Sequence, residues 1–117
     1  ECRMTYISTQ ELLKAFYTVK KRPGMFLYPL TLSSLGNYID GYRLCCTLNA
    51  IHQEEDNFLE NFRIWLLDCY GMEHTNRFSW WGIVLENGSG DGPEALDEFY
   101  RMLGRYLEEL QITVPDV

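Results

Sequence analysis

The side chains that most often do chemistry are few in this chain. His52 and His74 are the only imidazole bases. A hydrolytic triad needs a nucleophile, a base and a group that orients the base. Neither histidine sits in a recognisable nucleophile motif, and no G-x-S-x-G occurs. Glu54, Glu55, Asp56 and Glu60 offer paired carboxylates. Acids on a helix surface are usually solvated, so an acid–base role is not expected of them.

The thiols are Cys2, Cys45, Cys46 and Cys69. Neighbours such as Cys45 and Cys46 point about 100° apart on a helix and do not readily clamp one metal. There is no C-x-x-C. Cys45, Cys46 and Cys69 lie among apolar residues and read as reduced thiols acting as small core hydrophobes. A metal site is not expected. Gly88-Ser89-Gly90-Asp91-Gly92 has the glycines of a phosphate loop. A Walker loop needs G-x-x-x-x-G-K-[ST], and no Lys follows. Asp91, Glu94, Asp97 and Glu98 would repel a phosphate, so a plain flexible loop is expected. The expectation is no enzyme and no cofactor.

Charge is unevenly placed. The chain has 117 residues and a formal charge of −7. Residues 1–51 carry +3, and residues 52–117 carry −10. Net negative charge disfavours direct binding along a nucleic-acid backbone. It suits either a solvated surface or a docking face for a basic partner. Hydrophobic residues make up 46% and aromatic residues 15%, which excludes a disordered tail. No apolar run approaches the roughly 20 residues of a membrane span, and none reads as an export signal. A cytoplasmic protein without membrane contact is expected, forming one domain over residues 1–117. Glu1-Cys2-Arg3 ahead of Met4 reads as a cloning remnant.

Helical spacing dominates the elements that must position these groups. Ser8-Thr9-Gln10-Glu11 fits a capping box, followed by Leu12, Phe16 and Val19. A helix is expected from Ser8 to Lys20, stopped by Pro23-Gly24. Arg22 to Pro29 is an apolar loop whose Met25, Phe26 and Leu27 are expected to tuck into the core. Thr31 or Ser33 caps a second helix ending near Asn49, with Leu35, Ile39, Tyr42 and Cys46 on its stripe. Its Gly36 and Gly41 each cost about 1 kcal/mol relative to Ala, and close approach of a ring or backbone would explain them. A third helix starts at the acids 54–56, carries Phe58, Phe62, Trp65, Leu66 and Cys69, and ends at Gly71.

Thr75 to Glu86 fits a helix capped by Thr75, and Trp80 to Leu85 fits a short buried strand equally well. Helix is preferred, because a lone strand has no partner. Asp91 or Gly92 then caps a last helix with Pro93 at its first position. Leu96, Phe99, Tyr100, Leu103, Tyr106, Leu107 and Leu110 form its stripe, and Asp97 and Arg101 an i, i+4 pair. The result is an all-α fold: a single compact bundle of about five helices. Its core is expected at Leu12, Phe16, Leu35, Ile39, Tyr42, Phe62, Leu66, Phe99, Leu103 and Leu107.

Two resemblances attach to the loop. Arg22-Pro23-Gly24-Met25-Phe26-Leu27 resembles the R-P-G-M-Y-I-G string of gyrase-type ATPases, and Asn49-Ala50-Ile51 is faintly similar to a second piece. The D-x-G-x-G that binds adenine in those enzymes is absent, and the chain is too short for their sandwich domain. The other resemblance covers most of the chain. It joins the same loop to Ser34-Leu35, Tyr38-Ile39-Asp40-Gly41-Tyr42, Phe62, Trp65-Leu66, Ser79-Trp80 and Glu94 to Tyr100. The pattern is similar to bacterial immunity proteins encoded beside polymorphic toxins of the Rhs and contact-dependent growth inhibition kinds. Tyr28 stands where that pattern has a glycine.

The resemblance implies a binding protein that neutralises a cognate toxin by stoichiometric occlusion. An acidic chain of this kind suits a basic, nucleic-acid-acting toxin. The expected toxin-binding residues are Glu54, Glu55, Asp56 and Glu60 first, then Glu86 and Asp91. The alternative is an acidic regulatory or scaffold module unconnected with any toxin.

Overall fold

The computed structural model describes residues 6–7, 9–48, 52–53, 55–88 and 90–117. Among these residues six helices follow one another: α1 (Thr9–Lys21), α2 (Pro23–Phe26), α3 (Leu32–Leu48), α4 (Glu55–Cys69), α5 (Trp80–Glu86) and α6 (Pro93–Glu109). A two-residue parallel contact pairs β1 (Tyr6–Ile7) with β2 (His52–Gln53), Tyr6 opposite His52. The fold is the expected all-α bundle: five longer helices and one single turn taken from the apolar loop.

The helix ends follow local chemistry. Ser8 lies outside the described residues, and so does Asn49. At α3, Thr31 is the cap: its hydroxyl accepts the Ser34 N–H at 3.1 Å. Gly92 precedes Pro93 at the start of α6, as the Pro-at-first-position rule requires. α4 and α6 close with the same six-residue device. Met72 N–H bonds Leu67 C=O and Gly71 N–H bonds Asp68 C=O. Ile112 and Gln111 do likewise to Leu107 and Glu108. This geometry needs a left-handed residue. Gly71 supplies it at φ +67°, and Gln111 is forced into it at φ 58°.

Three rings sit at the centre. Phe16, Phe62 and Phe99 are fully buried, with Phe99 5.4 Å from Phe16 and 6.1 Å from Phe62 between ring centroids. Trp80 meets Phe16 edge-on at 5.4 Å, an arrangement that suits the ring quadrupoles. The aliphatic core residues expected from the sequence are all buried, and Tyr42 is half-buried against them. The buried Tyr100 hydroxyl donates to the Phe16 carbonyl at 2.6 Å, tying α6 to α1.

Several expectations change. Met25 does not tuck in: it is 68% exposed, Phe26 is half-buried, and only Leu27 joins the core. The one-turn α2 has no room to turn three successive side chains inward. Cys46 is buried, but Cys45 and Cys69 are exposed, because neighbouring positions on α3 point about 100° apart and Cys69 sits on the last turn of α4. The 75–86 segment is helical only from Trp80, and Ser79 caps it by accepting the Gly82 N–H at 3.0 Å. Thr75 instead holds a turn through the Arg77 N–H. Arg101 pairs with Glu98, three residues before it, rather than with Asp97. Gly36 has the ring contact expected of it: an added Cβ would lie 2.5 Å from the Trp81 indole. Gly41 has none, since a Cβ there meets nothing within 4 Å.

Candidate functional site

The acids expected to meet a partner fall in two places. Glu54 lies outside the described residues, and Glu55 and Asp56 open α4, their side chains also outside. Glu60 follows one turn later, on the surface, and does not stand alone. Arg63 Nε donates to its Oε2 at 3.1 Å and the second guanidinium arm to Oε1 at 2.8 Å. Arg63 is 8% exposed, and its remaining arm donates to the carbonyls of Thr75 and Phe78. The guanidinium therefore pins the α4–α5 connection while Glu60 balances its charge. The bond lowers the Glu60 carboxyl pKa and raises that of Arg63.

Asp91 is also held. Its carboxylate accepts the Ser33 N–H at 3.1 Å and the Ser33 hydroxyl. Ser33 stands in the first turn of α3, so Asp91 satisfies a helix-end donor from 58 residues away and complements the helix dipole. That fixes the loop between α5 and α6 against α3. Beyond it opens a cleft of about 160 Å³, lined by Val84, Gly88, Gly90, Gly92, Glu94, Ala95 and Glu98. Three of its wall residues are glycines, so a long side chain from outside can reach the backbone. Glu86 lies exposed at the end of α5 beside this edge, and Glu94 and Asp97 are exposed on α6.

Glu98 closes the cleft. It receives two bonds from Arg101, at 2.7 and 2.8 Å, and one from the Tyr70 hydroxyl at 2.8 Å. The Arg101 bonds lead in lowering its pKa, while burial and the bond to Glu98 raise that of Tyr70. Thus Glu86 and Asp91 of the sequence expectation are joined by Glu94, which lines the cleft, and by Asp97, exposed three residues further along α6. These two were legible only as acids near a glycine loop, because the place of Glu94 in the cleft wall depends on how the loop docks.

A second cleft, of about 210 Å³, lies between α3, α4 and α5 and is lined by Asp40, Arg43, Leu59, Glu60, Arg63, Ser79 and Trp80. Here Asp40 of one resembling segment meets Ser79-Trp80 of another. Trp80 itself is buried and Ser79 is a helix cap, so both have structural duties.

Among catalytic possibilities, His74 Nε2 lies 2.7 Å from Asp68, and both side chains are more than half exposed. No group of three metal-ligating side chains occurs among the described residues. No helix among them is long and apolar enough to cross a membrane. Compared with protein-family models, with curated proteins and with solved structures, the chain matches none.

Proposed function

We propose that this chain is an immunity-type inhibitor that binds a basic protein toxin one to one and covers its active site. The resemblance of the loop and of the Tyr38–Tyr42 segment to toxin-associated immunity proteins motivates the reading. The observation that carries it is the placement of exposed acids at two helix C-termini, where they do not help the fold. Glu86 ends α5, and Glu108 and Glu109 end α6, with no basic residue in either last turn. Carboxylates at a helix C-terminus oppose the dipole, each by about 0.3–1 kcal/mol. Helix stability therefore does not account for them, whereas a cationic partner would. Acidic surface of this kind speeds capture of a basic protein, toward about 10⁸–10⁹ M⁻¹s⁻¹ at low salt. On this reading the contact edge comprises Glu86 together with the exposed Glu94 and Asp97 near the start of α6, where an acid also suits the helix dipole, and the acids at the start of α4 form the second patch. A nucleic-acid-acting toxin is the favoured target, since such proteins are commonly basic.

The test is co-purification with the product of the neighbouring gene, followed by association rates at low and high salt. Glu86→Lys/Glu94→Lys/Asp97→Lys should slow association and flatten its salt dependence. Glu54→Lys/Glu55→Lys/Asp56→Lys does the same for the second patch. Asp91 and Glu60 are left intact, because they hold the fold. No binding to a neighbour-encoded toxin, or rates indifferent to both triple variants, would dispose of the proposal.

A further inference from the structure

Where α1 ends and α2 begins, the surface has the opposite charge to the acidic edge. A cleft of about 240 Å³ is lined there by Thr18, Lys21, Arg22, Met25, Phe26 and Val117. Its wall carries two cations and no acid. Neither Lys21 nor Arg22 forms an ion pair among the described residues. The neighbouring Lys20 is engaged otherwise, lying over the rings of Tyr17 and Tyr100 at 5.7 and 5.5 Å. The dipole of α1 favours Lys21 in its last turn, but Arg22 stands past the helix end. Apolar surface adjoins this charge. The Arg22 guanidinium lies 3.9 Å from the Met25 Sδ, Met25 is 68% exposed, and Phe26 is half-buried. A flexible thioether beside a ring moulds to aliphatic groups of varied shape.

The chain itself shows what such a cleft accepts. From Ile112 to Val117 it forms neither helix nor strand, and it reaches the cleft at Val117. Lys21 Nζ donates to the Val117 carbonyl oxygen at 2.7 Å, across 96 positions. Among the described residues no other hydrogen bond holds residues 113–117. Thr113, Val114, Asp116 and Val117 are all exposed. A short, lightly held segment with an aspartate next to a valine is thus seated at a cationic, apolar cleft.

We propose that the cleft binds an extended segment of a partner protein in which an Asp or Glu adjoins an aliphatic residue. Residues 113–117 are its weak substitute within the chain. Charge complementarity sets the choice: Lys21 and Arg22 face the carboxylate, Thr18 offers a hydroxyl, and Met25 and Phe26 take the aliphatic group. A basic surface would be repelled here. The site is therefore separate from the acidic edge assigned to a toxin and does not rest on that assignment. One exposed hydrogen bond is a slight hold, so an incoming segment can displace the tail.

The probe is a fluorescent peptide of the tail sequence, Gln111 to Val117, blocked at both ends and read by anisotropy on the full chain. Asp116→Lys/Val117→Lys in the chain drives the resident tail from Lys21 and Arg22. This variant should bind the peptide about tenfold more tightly than the wild type, where the tethered tail competes. Adding Lys21→Glu/Arg22→Glu should cut that affinity by at least about tenfold, and salt should weaken what remains. Adding Met25→Ser instead should weaken binding several-fold, and an Asp116→Lys peptide should not bind. All these positions are exposed, so the helical spectrum should stay unchanged. A peptide that fails to bind the tail-displaced variant overturns the proposal. So does binding that survives Lys21→Glu/Arg22→Glu. So does a chain that ignores the peptide yet sediments with phosphatidylserine vesicles through Lys21, Arg22 and Met25, since the cleft would then serve an anionic lipid surface.

Discussion

The carboxylate of Asp91 caps α3 at Ser33, accepting the backbone N–H at 3.1 Å and the hydroxyl of the same residue. One side chain thereby joins the α5–α6 loop to the start of a helix 58 positions earlier. An acid that reads in sequence as a free loop charge is a tertiary helix cap. Removing it should affect stability before it affects any partner.

Asp91→Ala should therefore lower stability by about 1 kcal/mol, the usual cost of a lost helix-end acceptor. Asp91→Asn keeps the acceptor and should recover most of it. Urea unfolding followed by helical circular dichroism measures both. Equal midpoints for Asp91→Ala and the wild type would show that the cap contributes nothing.

Arg63 and Glu60 should respond unequally. Arg63→Met strands the carbonyls of Thr75 and Phe78, a cost of about 1–3 kcal/mol for each buried group left unpaired. Glu60→Gln removes a partner that is 57% exposed and keeps an acceptor, so its cost should stay below about 1 kcal/mol. Thermal unfolding of the two variants side by side decides the matter, and a reversed order would contradict the clamp.

Gly36→Ala should destabilise by about 1–3 kcal/mol, the range for overpacking, because its methyl would press on the Trp81 ring. The Trp81 indole N–H is buried against α3 and has no hydrogen-bond partner among the described residues. Near-ultraviolet circular dichroism of the indoles should change with the melting temperature. An unaltered melt would mean the ring yields freely.

Acid should weaken the α4–α6 contact through Glu98. Its folded pKa lies below the ordinary 4.5, chiefly because of the Arg101 hydrogen bonds. A carboxyl depressed on folding gives stability that is present above the unfolded value and lost as pH falls through the folded value. Glu98→Gln should accordingly be less stable than the wild type at pH 7, and the difference should shrink progressively below about pH 4.5. Stability curves from pH 7 to pH 2.5 test the sign. A gap that widens on acidification would rule out this assignment.

Local periodicity was enough to mark α1, α3, α4 and α6, Thr31 or Ser33 as the cap of α3, Pro93 at the first position of α6, the stop at Gly71 and the central rings Phe16, Phe62 and Phe99, whereas α2 read as a loop and α5 fitted helix or strand. Each of these follows from residue spacing along one helix or from backbone restrictions at one residue, and both are written in consecutive letters. Gly36 was legible as a glycine needing a neighbour, though not as the seat of Trp81. The roles of the charged residues were not legible. Asp91 caps α3, Glu60 balances a buried Arg63, and Glu98 joins Arg101 to Tyr70. Apart from the short pairs along α4 and α6, these partners lie far away in the chain. The outward turn of Met25, Cys45 and Leu48 likewise depended on the tertiary structure. Which face of an all-round apolar segment is covered is set by the elements that pack on it, and periodicity does not distinguish two apolar faces. The sequence by itself determined the helices and the sign of the charge. The packing decided which acids hold the fold together and which remain free to meet a partner.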